Sequence, residues 1–155
     1  MNEQSIQDRL YKYIKSTCSD PYAIILPNTM LCRWKWESDL LYITKAGCVT
    51  EYEIKLSNGD FAADMNKSRK HAVLNGGDGP TYFYYVCPTG IIHPEDVPSY
   101  AGLIYVDSDM GVNEALKCER TKRAKPLSNE EWIEIATKSL KRYWRLRIKN
   151  KLRGL

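Results

Sequence analysis

The chain has 155 residues, 43% hydrophobic and 27% charged, with a formal net charge of +4. These values fit one soluble globular domain around a single core, and they exclude a collagen-like chain and wholesale disorder. No run of about 18 apolar residues occurs, so no membrane-spanning helix is expected. MNEQSIQDRL lacks an apolar h-region, so no secretory signal is expected either.

In chain order, Ile6, Leu10 and Tyr13 or Ile14 recur at helical spacing and predict a helix over 3–16, broken at Ser19-Asp20-Pro21. Apolar runs around Pro27-Asn28 predict a strand and a turn. Residues 34–44 (WKWESDLLYIT) read as a strand, and 48–56 (CVTEYEIKL) as its hairpin partner. In that second strand Glu51, Glu53 and Lys55 share one face, and Tyr52, Ile54 and Leu56 the other. Asp60 is a candidate N-cap for a helix over 61–74. A flexible loop, Asn75 to Pro80, leads to a buried strand over 81–87, then a loop with three prolines, then a short strand over 103–107. After a polar connection, Ser128-Asn129-Glu130-Glu131 forms a capping box that opens a helix to about 148. Its Trp132, Ile135 or Ala136, Leu140, Tyr143 and Trp144 are expected to pack as core. Ile54, Leu56, Phe83, Tyr85, Ile104 and Val106 are expected to be buried in the sheet.

Five cysteines (Cys18, Cys32, Cys48, Cys87, Cys118) contain no CxxC pair, which removes a zinc ribbon. Reduced thiols and a cytoplasmic location are the expectation.

Asp39 is a charged residue within an apolar strand, and Glu53-Ile54-Lys55 follows fourteen residues later. A hairpin lays Asp39 beside Glu53. Two converging carboxylates are hard oxygen ligands suited to Mg²⁺ or Mn²⁺, and Lys55 beside them can contact a phosphate or orient an attacking water. That set is sufficient for phosphodiester hydrolysis. The competing reading is an exposed strand face of Glu51, Glu53 and Lys55.

Read in order, WESDLLYI (36–43) and EYEIKLS (51–57) resemble the catalytic hairpin of the PD-(D/E)XK, or restriction-endonuclease-like, nuclease superfamily. Asp60-Phe61-Ala62-Ala63-Asp64 with Lys67, Lys70 and His71, the strand ending Val86-Cys87-Pro88, Val97-Pro98, and Gly102 to Asp107 are similar to a branch with MmcB-like DNA-repair proteins and phage nucleases. The resemblance covers about residues 3–107, and it departs from the pattern at Ser38, where a proline often precedes the aspartate. It implies an α/β restriction-endonuclease-like core, a central mixed sheet flanked by helices, over residues 1–110. Residues 111–155 then form a basic helical extension packed on the same domain. It implies a Mg²⁺- or Mn²⁺-dependent deoxyribonuclease acting in DNA repair, recombination or phage DNA processing. Asp39, Glu53 and Lys55 are its catalytic residues, Asp39 and Glu53 hold the metal, and Glu3 is the added acidic ligand, with Asp8 as second choice. Glu51 is either an outer ligand or a surface residue. The alternative is a non-catalytic nucleic-acid-binding adaptor on the same scaffold. A homodimer is left open.

Residues 120–155 hold 12 Lys/Arg and 3 Glu, a local +9, so the first 119 residues net −5. An acidic body with a basic tail suits a polyanion such as DNA. Lys138, Arg142, Arg145 and Lys149 share one helical face and are the expected backbone contacts, with Lys67 and Lys70 nearer the site. For Asp64 and Lys67 an i,i+3 ion pair is the competing reading. His71 is a poor metal candidate, since the other histidine, His93, lies in a proline-bounded loop.

Overall fold

Helix α1 (Glu3–Thr17) opens on a reciprocal cap, in which the Asn2 side chain accepts from the Ser5 N–H and the Ser5 side chain accepts from the Asn2 N–H. Ile6, Leu10 and Ile14, four residues apart, make its buried stripe. The computed structural model describes residues 1–109 and 111–153.

Six strands follow: β1 (Ile24–Met30), β2 (Glu37–Ile43), β3 (Val49–Ile54), β4 (Tyr82–Pro88), β5 (Gly102–Val106) and β6 (Val112–Leu116). They form one mixed sheet in sequence order. β1, β2 and β3 are antiparallel neighbours, β3, β4 and β5 run parallel, and β6 returns antiparallel to β5. The crossover between parallel β3 and β4 is made by helices α2 (Asn58–Met65) and α3 (Ser68–Gly76). The proline-rich loop, with a 3-10 turn at Pro94–Asp96, joins β4 to β5. Helix α4 (Asn129–Leu152) ends the chain and is opened by the Ser128/Glu131 capping box.

The side-chain alternation of the strands sorts the core onto two faces. Leu40, Tyr52, Ile54, Val86, Ile104 and Val106 pack under α1. On the other face, Phe83, Tyr85, Cys87 and Leu103 pack under Phe61 of α2 and Leu74 of α3. Leu41, Ile43 and Val49 on that face meet Trp34, Leu127 and Ile135 at the start of α4. β3 is therefore buried from both sides, and Glu51, Glu53 and Lys55 share the α2/α3 face.

Several expectations are corrected. Pro27-Asn28 lies inside β1, which is an edge strand and so tolerates a residue without an N–H. The helix expected over 61–74 is two helices, because Asn66 ends α2 with its side chain on the Ala62 carbonyl. Ser57, not Asp60, caps α2. Leu56 is 40% exposed, because β3 ends at Ile54 and the chain turns there into the cap. β6 falls in the segment read as a polar connection. It pairs with β5, so part of the region beyond residue 110 belongs to the central sheet rather than to an added extension. In α4 only Ile135 is buried and Trp132 half-buried, while Leu140, Tyr143 and Trp144 face solvent.

Gly102, paired with Tyr84, has no room for a side chain: a Cβ there meets the Tyr84 ring and lies 2.7 Å from the Leu116 carbonyl oxygen. Gly102→Ala is expected to cost about 1–3 kcal/mol, read as a lower urea midpoint with unchanged slope. Gly59→Ala, in the open first turn of α2, is the control and should not destabilise the fold.

Candidate active site

Sheet register sets the first contact. The pairs Pro27↔Leu40 and Thr29↔Ser38 bracket Asp39 and put Asn28 opposite it, and one step beyond Leu40↔Tyr52 puts Glu53 on its other side. Asp39 Oδ2 accepts the Ile54 N–H at 2.7 Å. Glu3, in the first turn of α1, reaches the same place. Its Oε1 accepts from Gln7 Nε2 at 3.1 Å and from Asn28 Nδ2 at 3.0 Å. Gln7 Nε2 also donates to the Asp39 carbonyl at 2.9 Å and lies 3.2 Å from Asn28 Oδ1. Asn28 takes φ +47°, a left-handed conformation that asparagine tolerates better than most residues. Burial and the Glu53 carboxylate push the Asp39 carboxyl up to about 7, against the Ile54 N–H, which lowers it; Glu3 adds a further push and Lys55 opposes.

Beside this lies a buried charge network. Lys55 Nζ donates to Glu53 Oε1 at 2.7 Å and stands 3.4 Å from Asp64 Oδ1. Lys70, the inward residue of α3, contacts Glu53 Oε2 at 2.8 Å and Asp64 Oδ1 at 3.6 Å, with its ammonium over the Phe83 ring. Lys67 pairs with Asp64 from solvent at 2.9 Å. The Tyr85 hydroxyl donates to Asp64 Oδ2 at 3.0 Å. Burial works against both charges, yet Lys70, Lys67 and Lys55 together hold the Asp64 carboxyl below its ordinary range. For Lys55 the nearby Glu53 and Asp64 outweigh desolvation, and its pKa is raised. Lys55 therefore stays an ammonium, a donor rather than a base.

Glu51 is a third buried acid on this face and fully enclosed, not the surface residue weighed above. Its Oε1 accepts from Trp36 Nε1 at 2.9 Å, and its Oε2 has no hydrogen-bond partner among the described residues. Burial, with Glu53 nearby, raises its carboxyl to about 7 against Lys70, the Trp36 hydrogen bond and the nearby Ser38 hydroxyl.

Asp39, Glu53 and Lys55 thus come together as neighbours, and Glu3 is linked to them through Gln7 and Asn28. Asp8 stays exposed. Lys70 is 4% exposed and committed to carboxylates, so it does not offer a surface to phosphate. His71 Nε2 lies 2.8 Å from the Asp64 main-chain carbonyl, and its Nδ1 meets the Tyr100 hydroxyl. Lys138 donates to the Met30 carbonyl at 2.6 Å, and Arg142 to the Pro27 and Asn28 carbonyls at 2.6 and 2.5 Å. Those two side chains serve the β1 edge, which leaves Arg145 and Lys149 on the open side. Among the described residues no group of three or more His, Cys, Asp or Glu is already arranged to hold a metal. Sequence reasoning missed Gln7 and Asn28, and it gave Asp64 only a surface ion pair. A glutamine one turn after Glu3 was the available signal.

Two clefts meet at Asn28. One, about 540 Å³, is lined by Glu3, Gln7, Asp8 and Asn28. The other, about 240 Å³, is lined by Asn28, Thr29, Lys138, Lys141, Arg142 and Arg145. The acidic site therefore continues into a cationic groove between β1 and α4.

Glu51 gives a pH test. An unfolded glutamate titrates near 4.3, and the folded one titrates about 7. Between those values the folded state holds the extra proton, so the wild-type protein loses stability as pH rises through that window. Glu51→Gln removes the loss. In metal-free protein its stability advantage over wild type should grow from pH 4 to 7 and level off at roughly 3–4 kcal/mol, measured by urea titration. A difference independent of pH would rule out this assignment.

No family model matches the chain, and no curated protein sequence does. Among solved structures it is similar to SPO1766, a protein of unknown function from Silicibacter pomeroyi, with 16% identity, 91% of this chain and 88% of that chain covered, and a TM-score of 0.64. That likeness establishes a shared α/β fold, a mixed sheet flanked by helices.

Proposed function

We propose that the protein is a metal-dependent nuclease that hydrolyses phosphodiester bonds of DNA, on a restriction-endonuclease-like core. The observation that carries this reading is the pairing of Asp39 with Glu53 on adjacent strands beside an ammonium, Lys55, with Glu3 tied to the Asp39 strand through Gln7 and Asn28. Carboxylates that push one of their number up to about 7 form a site short of positive charge. The donor set is of hard oxygens, which fits Mg²⁺ or Mn²⁺, with Asp39, Glu53 and Glu3 as the residues that would hold it. Such an ion activates a water and neutralises phosphate charge when bound.

The chain's own residues supply the rest. Gln7 fixes the Glu3 carboxylate and the Asp39 backbone together. Lys55 remains protonated and, bonded to Glu53 and close to Asp64, holds the Glu53 carboxylate in place beside Asp39. Lys141, Arg145 and Lys149 line or flank the cationic groove and attract the phosphate backbone.

A second reading is favoured by one contact set. Lys55 and Lys70 both close on Glu53, at 2.7 and 2.8 Å, which suits a non-catalytic nucleic-acid-binding adaptor.

Incubation with single-stranded, duplex and branched DNA, and with RNA, with and without Mg²⁺ or Mn²⁺, separates the two. Cleavage is expected only with metal, and Ca²⁺ should support little turnover, because its looser coordination aligns the water poorly. Asp39→Ala, Glu53→Gln and Lys55→Met should each lower the rate by about a thousandfold or more, the scale of losing a central electrostatic group. Circular dichroism checks that each variant is folded at the assay temperature, Glu53→Gln and Lys55→Met above all, because they break a buried charge set. Near-wild-type cleavage by Asp39→Ala would remove this site assignment. Binding without cleavage under every condition would establish the adaptor. Separately, Arg145→Ala with Lys149→Ala should weaken DNA binding and flatten the log–log salt slope by up to about 2 units, with the cleavage rate at saturating DNA little changed.

A further inference from the structure

Helix α4 is about 36 Å long by its residue count, and its contacts with the body are made by one face. Trp132 and Ile135 join the core at Leu31, Trp34 and Leu127, and Lys138 and Arg142 reach β1. The opposite face carries Ile133, Leu140, Tyr143, Trp144, Ile148 and Leu152, exposed by 52–83%. Ile133, Leu140, Trp144 and Ile148 follow one another at intervals of seven, four and four, so they form one continuous apolar stripe. A contiguous exposed apolar patch of this kind marks an interaction surface.

We infer that this stripe pairs with the same stripe of a second copy of the chain, the two α4 helices running antiparallel about a twofold axis. Charge selects both the partner and the direction. Of the acids in its first turns, Glu131 pairs with Arg33 and Glu134 with Lys138, which leaves Glu130 for the outward side, and the last turns carry Arg147 and Lys151 there. Parallel helices would stack the cationic ends on each other. Antiparallel helices set the acidic end of each beside the cationic end of the other, and they place Ile133 of one copy near Ile148 and Leu152 of the other, with Leu140 and Trp144 at the centre. Such an arrangement is isologous and closes at two copies. Six half-exposed large side chains on each copy bring on the order of 1,000 Å² of apolar surface together, the lower bound for a specific interface. The stripe faces away from β1, so pairing leaves the Asn28 clefts open in both copies.

The test is the mass of the full chain by sedimentation equilibrium in the micromolar range. A species of about 36 kDa, twice 17.9 kDa, is expected. Leu140→Glu with Trp144→Glu should return it to 17.9 kDa with unchanged circular dichroism per residue, since neither side chain is in the core. Arg147→Glu with Lys151→Glu should weaken the dimer at least tenfold, and adding Glu130→Lys should recover part of that loss. A wild-type monomer at 100 µM overturns the proposal, and so does a dimer that survives Leu140→Glu/Trp144→Glu. A dimer indifferent to the charge exchange overturns the antiparallel direction. Wild-type monomer that instead sediments with anionic vesicles, through the same stripe, overturns it in favour of a lipid surface.

Discussion

Lys55 and Lys70 bring two ammonium groups, both all but closed off from water, between the carboxylates of Glu53 and Asp64. Each charge alone would cost several kcal/mol to desolvate, and removal of one partner from such a set is strongly destabilising. The surrounding fold is arranged to keep the set complete. β3 is central because Glu53 and Lys55 must be covered, and the α2/α3 pair covers them. The break at Asn66 lets Asp64 and Lys70 approach from two helices instead of competing along one. Phe83, Phe61 and Tyr85 seal the sides, and the Tyr85 hydroxyl takes the second oxygen of Asp64. A site on this face inherits rigid geometry for Glu53 and Lys55 as a consequence of keeping the charges neutralised.

Asp39 stands at the edge of that set without full neutralisation. Its neighbours on the sheet are a carboxylate on one side and Asn28 on the other. Asn28 is the joint between three elements. Its side chain holds Glu3 of α1, its carbonyl accepts Arg142 of α4, and its left-handed backbone turns both groups in the required directions. The edge strand β1 would otherwise present free carbonyls to any passing strand. Lys138 and Arg142 occupy them, so α4 protects the edge and builds the cationic wall of the cleft with the same contacts. The outward face of α4 is left apolar because the body is already satisfied by its inward face.

Much of this was legible in the chain. Helix α1, the β2–β3 hairpin and the α4 capping box are local patterns, because apolar period and cap chemistry act over a few residues. The alternation in 48–56 put Glu53 and Lys55 on one face, and tertiary packing kept that register. The pairing of Asp39 with Glu53 followed from the hairpin alone. β6 was hidden, since five residues on an edge carry a weak alternation and gain their identity only from β5. Leu56 was misplaced because strand length depends on where the next helix is capped.

What the sequence determined by itself is the identity and spacing of the acids and bases: Glu3 on a helix start, Asp39 and Glu53 on a hairpin, and a tail rich in Lys and Arg. Only the tertiary structure decided which charges are free. It buried Lys70 against Glu53, enclosed Glu51, committed Lys138 and Arg142 to main-chain carbonyls, and turned Leu140, Tyr143 and Trp144 to solvent. The reason is physical. A charged or aromatic residue reads the same in a sequence whether it is buried or exposed, and its desolvation cost and its partners are set by elements tens of residues away.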